Sequence, residues 1–111
     1  MEYTKDMIRS LLIRSDIACM RGILAIFRLQ TEYEKDCRAT VNKNGLGFCA
    51  SHAKAGSELA LWMSCENNDG VFRRPVGGIV MYGGDMINRV ALCRKIALSY
   101  VEQLTFQANG W

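Results

Sequence analysis

Apolar residues recur at three- and four-residue spacing over the first third of the chain, the period of a helix with one buried face. Thr4 is a suitable N-cap for a first helix. Ser15 or Asp16 restarts or continues this helix, and the apolar stripe then runs to about Cys37. The four residues from Thr31 also fit a capping box, so a break there is the alternative. Continuous apolar spacing favours one unbroken helix.

The same period predicts two helices in the second half of the chain. One has Ser51 as its N-cap and ends near Cys65, and the other has Asp85 as its N-cap and frays near Gln107. The apolar face of the last helix comprises Met86, Val90, Cys93, Ala97, Tyr100 and Leu104. The alternating four- and three-residue intervals of this face make it the clearest helical signal in the sequence.

A turn with a large apolar ring joins the second and third predicted helices. Asn44-Gly45 tolerates positive φ, and Gly47 provides a second permissive position. We expect this corner to place Phe48 in the core. A phosphate-binding loop is the alternative, but neither the dinucleotide fingerprint nor the Walker pattern is complete here.

Residues 66–84 are richer in glycine and polar residues than the rest of the chain. Two short apolar runs, residues 71–76 and 79–82, flank Gly77-Gly78 and predict a β-hairpin with Pro75 at an edge. An irregular loop that packs on the helices is the alternative. The sequence thus predicts one mainly α domain, residues 1–111, of about four helices with a short β-hairpin or glycine-rich insertion before the last helix.

Composition is consistent with a soluble globular protein. The chain has 111 residues, of which half are apolar and one is proline, so it can bury a core as a single domain. No apolar run approaches the roughly 20 residues of a spanning helix, and the charged N-terminus lacks the apolar region of a signal peptide. Five cysteines at irregular spacing indicate free thiols in a reducing compartment. We therefore expect a cytoplasmic protein without a membrane partner.

Several short motifs occur in a characteristic order. They are Gln30-Thr31-x-x-Glu34, Thr40, Asn44-Gly45-x-Gly47-Phe48, Ala53, Ser57-x-Leu59-Ala60 and Arg94-Lys95-x-Ala97-Leu98-x-Tyr100-Val101-x-Gln103-Leu104. This order resembles a small helical module of phage and mobile-element proteins that mostly has no assigned activity. The resemblance covers residues 22–108 and implies DNA-related neighbours and no catalytic residues. The chain departs from the module at His52, where an acidic residue is usual, and in the insertion at 66–84.

Basic residues give the strongest indication of a binding site in the sequence. The net charge is only +3, but a local basic patch can still bind phosphate. The candidate binding residues are Lys43, Asn44, Arg73, Arg74, Arg89, Arg94 and Lys95. Phe72 and Tyr82 would offer rings for base stacking if these residues converge. The alternative is that they are ordinary solubilising charges.

Two functions from different classes follow. The first is a non-enzymatic phage or mobile-element accessory protein that binds nucleic acid through a basic surface. The second is a small protein-binding inhibitor of a host or defence nuclease complex, like an anti-CRISPR protein. Its apolar hot spot would be Phe72, Ile79, Met81 and Tyr82, together with Val76 and Val80. A homodimer formed through the hairpin, or through the face of Trp62 and Met63, is compatible with either function.

Catalysis and metal binding have the least support. The chain has one histidine, no paired carboxylates and no nucleophile motif. Cys49 and His52 could share a metal with Cys37 or Cys65, but zinc sites usually present two tight ligand pairs. As a thiol and its base, Cys49 and His52 have no third residue in evidence to orient them. We therefore predict no catalytic residue, no metal and no cofactor.

Overall fold

The computed structural model of the chain describes residues 2–29, 48–49, 51–67 and 69–109. Its elements are α1 Lys5–Arg14, α2 Asp16–Arg28, α3 Ala53–Met63, β1 Ile79–Tyr82, β2 Asp85–Asn88, α4 Arg89–Ala97, a 3-10 turn Leu98–Tyr100 and α5 Val101–Ala108. Since α4, the 3-10 turn and α5 follow one another directly, these residues form four helical segments and one hairpin. The mainly α fold with a hairpin before the last helix is confirmed. Among the residues described, no helix is long and apolar enough to span a bilayer.

Local side-chain hydrogen bonds determine where α1 and α2 begin. Thr4 Oγ1 accepts the N–H of Met7 at 3.2 Å, as the sequence predicts. Ser15 ends α1 and starts α2, because its N–H donates to Leu11 while its Oγ accepts the N–H of Ala18 at 3.1 Å. The end of α2 was wrongly predicted: it stops at Arg28 rather than near Cys37. Residues 30–47, with the alternative break at Thr31, lie outside the described residues.

Helix α3 begins one residue later than predicted and ends near Cys65, as the sequence predicts. Its N-cap is His52, whose side chain makes no capping hydrogen bond, so the prediction of Ser51 as the N-cap was wrong. Ser64 ends the helix, and two N–H groups beyond it return to the last turn, Cys65 to Trp62 at 3.3 Å and Glu66 to Leu61 at 2.7 Å. These are the paired bonds of a Schellman C-terminus.

The hairpin pairs β1 with β2 rather than with residues 71–76. Gly83 and Gly84 form its turn, and both have the positive φ that a two-residue hairpin turn favours. The predicted hairpin across Gly77-Gly78 was wrong, since β1 pairs with β2 and no strand precedes these glycines in residues 71–76. Residues 71–76 form no strand, because the N–H groups of Arg73 and Arg74 both donate to Met63 O at the end of α3.

The start of the last helix was also wrongly predicted. Asp85 is the first residue of β2, paired with Tyr82, and Asn88 caps α4 by accepting the N–H of Val90 at 2.8 Å. Met86 therefore belongs to the hairpin and is exposed. Of the other predicted face positions, Val90 is half-buried. The remaining four are buried, namely Cys93, Ala97, Tyr100 and Leu104.

The core lies around α2, which packs against each of the other four α-helices. Phe48 is 1% exposed and meets the ring of Tyr100 edge-on, with 5.7 Å between centroids. The prediction that Phe48 lies in the core is confirmed. Gly56 of α3 faces the Phe48 ring so closely that a Cβ there would lie 2.5 Å from the nearest ring carbon.

Candidate nucleic-acid interface

Two of the predicted basic residues converge on one tryptophan. Trp62 lies in the last turn of α3 and is half-buried, with its ring N–H donating to Pro75 O at 3.0 Å. The guanidinium carbon of Arg74 lies 4.1 Å from the centroid of the Trp62 ring, and that of Arg89 lies 4.4 Å from it. Trp62 therefore holds a loop arginine and an α4 arginine side by side through cation–π contacts.

Backbone carbonyls fix both guanidinium groups further. Arg74 Nε donates to Trp62 O at 2.6 Å, and Arg89 Nη1 donates to Gly77 O. Neither arginine forms an ion pair with a carboxylate among the described residues. Because a guanidinium carries five N–H donors, each of these groups keeps donors for another acceptor.

A third cation and a second ring extend this arrangement. The Lys95 ammonium lies 5.6 Å from the centroid of the Tyr82 ring. Tyr82, Trp62 and Arg89 line one cavity of about 120 Å³ between α3 and the hairpin, where Glu58 and Glu66 also lie. We call the set Trp62, Arg74, Tyr82, Arg89 and Lys95 the cation–aromatic surface. Its three cations outnumber the two acidic residues of the adjoining cavity.

The other predicted basic residues do not join this surface. Arg73 donates to both carboxylate oxygens of Asp69, at 2.8 and 2.7 Å, and these bonds hold the pKa of Asp69 well below its usual range. Arg94 donates to Leu12 O at 3.0 Å and pairs with Asp16. Both therefore connect parts of the fold, and Lys43 and Asn44 lie outside the described residues.

The predicted apolar hot spot divides between two faces of the hairpin. Tyr82 and Val80 face inward and pack on the core, and Phe72 and Val76 are packed there as well. The outward face carries Ile79, Met81 and Met86, which are 60%, 63% and 66% exposed. Met86 fits the apolar period of the last helix, so the sequence did not indicate that it belongs to the hairpin. The Gly83-Gly84 pair between two four-residue runs is the signal that predicts a hairpin turn there.

The sequence indicated Cys49 and His52 as a pair but did not reveal the cluster to which they belong. Around the Cys49 sulfur lie Ser51 Oγ at 3.1 Å, Tyr100 OH at 3.3 Å and His52 Nδ1 at 3.5 Å. Tyr100 supplies the third group that Cys49 and His52 lacked in sequence, from 51 residues away. Within the described ranges, no three potential ligands are grouped so as to hold a metal ion.

No protein-family model matches the chain, no curated protein matches it in sequence, and no solved structure matches it. Its class is therefore defined by the fold and the surface alone. It is a small, mainly helical domain whose hairpin side carries arginines held against an aromatic ring.

Proposed function

We propose that the protein is a non-enzymatic accessory protein of a phage or mobile element that binds nucleic acid through the cation–aromatic surface. One observation carries the proposal. Arg74, Arg89 and Lys95 lie against aromatic rings and make no ion pair among the described residues, whereas Arg73 and Arg94 are each paired with an aspartate. The phage or mobile-element setting is supported by the order of sequence motifs.

The guanidinium groups of Arg74 and Arg89 are already fixed in position, and this favours phosphate binding. A ring contact and a backbone hydrogen bond already restrict Arg74 and Arg89, so less side-chain entropy is lost when a phosphate binds. A planar guanidinium also offers paired donors to phosphate oxygens. Contacts of this kind bind the backbone without reading sequence, so we expect dissociation constants on the order of 1–100 µM at physiological salt.

Replacing Arg74 and Arg89 together by glutamine is expected to weaken binding about tenfold at low salt. The change removes two phosphate-binding charges, and at position 74 the glutamine amide nitrogen takes the place of the Nε that donates to Trp62 O. Fluorescence anisotropy with labelled single-stranded DNA, duplex DNA and RNA measures the effect. The slope of log affinity against log salt concentration should also become shallower by about 1.5, because each phosphate contact contributes about 0.7–0.9.

Arg14→Gln combined with Arg21→Gln is the matched control, since both arginines are exposed, lie outside the cation–aromatic surface and together carry the same two charges. Its effect should be below about twofold, because it removes only distant charges that salt screens. Circular dichroism checks that all variants fold. Equal losses in the control and the variant at Arg74 and Arg89, or no binding by the unmodified protein at low salt, would refute the proposal.

A second candidate is the protein-binding inhibitor of a nuclease complex, which the outward face of the hairpin favours. Ile79, Met81 and Met86 form a solvent-facing apolar group beside cations that would complement an acidic protein surface. In a pair of directly opposed strand residues such as Met81 and Met86, both side chains lie on the same face. That geometry suits a compact hot spot.

Replacing Met81 and Met86 together by glutamate is expected to abolish capture of a nuclease component from nuclease-treated host lysate, because two charges would be buried in the contact. Mass spectrometry identifies what the unmodified protein captures. Ile13→Glu, on an exposed apolar position of α1, is the control and should leave capture unchanged. Capture that survives the double change, or of proteins unrelated to nucleases, contradicts this candidate. Sedimentation velocity shows whether the same face pairs two copies instead.

A further inference from the structure

We propose that Cys49 is a thiol modification site that forms mixed disulfides with small disulfides of the oxidised-glutathione class. This inference does not depend on nucleic-acid binding, because the thiol and the groups that form hydrogen bonds with it lie outside the cation–aromatic surface. It rests on three features: the polar groups around the sulfur, the cleft in front of it and the contrast with the other described cysteines.

The polar groups around Cys49 suit a thiolate. Tyr100 OH donates to the sulfur at 3.3 Å, and Ser51 Oγ lies 3.1 Å from it. Tyr100 is itself fixed, because its oxygen accepts the N–H of Cys49 at 2.9 Å and lies 2.8 Å from His52 Nδ1.

The balance of these effects favours ionisation. Partial burial acts to raise the pKa of Cys49, but hydrogen bonds from Ser51, Tyr100 and the backbone outweigh it, and the pKa is lowered. Burial raises the pKa of Tyr100, so its hydroxyl remains a donor. Burial and nearby Lys95 lower the pKa of His52, which is therefore neutral at pH 7.

A cleft of about 500 Å³ gives the thiol access to a small molecule. It is lined by Cys49, His52, the 3-10 turn and the start of α5, and its volume falls in the range of ligand sites. The charged groups facing it are Arg9 of α1 and Glu102 of α5, which pair with Asp6 and Lys5. Cys49 itself is exposed.

The other described cysteines lack this combination. Cys19 and Cys93 are buried, and burial raises the pKa of both, that of Cys93 to about 12. Cys65 is exposed like Cys49, but within the described part of the chain no hydrogen bond reaches its sulfur. Cys65 is therefore an internal reference for an exposed thiol whose sulfur receives no hydrogen bond within the described residues.

The reaction is thiol–disulfide exchange. The Cys49 thiol loses its proton to solvent, and the thiolate attacks one sulfur of the small disulfide. A new bond forms between this sulfur and Cys49 as the original disulfide bond breaks. The departing thiolate takes up a proton from solvent, so one protein thiol and one disulfide give one mixed disulfide and one small thiol.

Oxidised glutathione is the probe, with peptide mapping by mass spectrometry to follow each cysteine of the full chain over time. At pH 7 Cys49 should react faster than Cys65 by a factor of about three or more. Hydrogen bonds to its sulfur increase the thiolate fraction of Cys49, and the lower nucleophilicity of this thiolate offsets only part of that gain. The rate at Cys49 should also reach half its maximum at a lower pH than the rate at Cys65.

Two variants test the donors separately. Tyr100→Phe keeps the ring in the core, and Ser51→Ala changes an exposed residue. Each variant should raise the pH at which the exchange rate of Cys49 reaches half its maximum. Neither should change the rate at Cys65. Cys65→Ser should leave the Cys49 rate as it was. Equal rates and equal half-maximal pH at Cys49 and Cys65, or no response of Cys49 to either donor variant, would overturn the proposal.

Discussion

Phe48→Ala is expected to lower the free energy of unfolding by about 3–5 kcal/mol. The Phe48 ring is 1% exposed and fills the space between Gly56 and Tyr100, so its removal loses transfer free energy and leaves a cavity. Domains of this size are stable by only about 5–15 kcal/mol, so the loss is a large share of the total. Urea denaturation followed by circular dichroism measures it.

Phe106→Ala provides the control, because the same truncation is made on a ring that is 61% exposed. We expect it to cost no more than about 2 kcal/mol, since most of this ring already lies in water and truncation leaves no enclosed cavity. Similar losses in the two variants would mean that Phe48 is not part of the core.

The apolar period predicted where the helices lie, but it did not predict that α2 stops at Arg28. The three- and four-residue spacing located the helices, and Thr4 and Ser15 marked starts that their side chains confirm. The prediction failed where two signals overlapped. Asp85 and Met86 fit both a helix start and a strand, and the strand prevails because Gly83-Gly84 closes a hairpin that places Val80 and Ile87 on the core.

The candidate site was predictable in part. Sequence alone indicated the right type of residue, because arginines and apolar hairpin residues stand out by composition. It could not tell which arginines already have partners, since the pairing of Arg94 with Asp16 joins residues 78 apart. It also could not show that Arg74 and Arg89 share Trp62. Distant contacts of this kind decide which charges remain available for a ligand.

The fold also explains why the cation–aromatic surface is ordered. The N–H groups of Arg73 and Arg74 both donate to Met63 O, so the loop is attached to the end of α3 one residue beyond Trp62. Arg89 starts α4 directly after β2, and its N–H donates to Gly78 O. The hairpin insertion therefore positions two arginines on one ring, in addition to presenting its own outward face.

Gly56→Ala is expected to lower the free energy of unfolding by about 2 kcal/mol. The new Cβ would lie 2.5, 2.6 and 2.7 Å from three carbons of the buried Phe48 ring, and Tyr100 packs against the same ring. Overpacking of this kind costs about 1–3 kcal/mol or more, and the better helix propensity of alanine returns only about 1 kcal/mol. Urea denaturation again gives the difference, which is the reverse of the usual effect of this substitution in a helix.

Gly22→Ala is the matched control in α2, where the nearest atom to the new Cβ is the end of the Leu104 side chain at 3.3 Å. A small shift of that side chain makes room, so we expect a change within about 1 kcal/mol. Phe48→Leu tests the cause directly, because its shorter side chain removes the carbons that clash. In the Phe48→Leu background, Gly56→Ala should lower the free energy of unfolding by at least about 1 kcal/mol less than it does in the unmodified protein. If the losses of the two single variants simply add, the Phe48 ring is not what excludes a side chain at position 56.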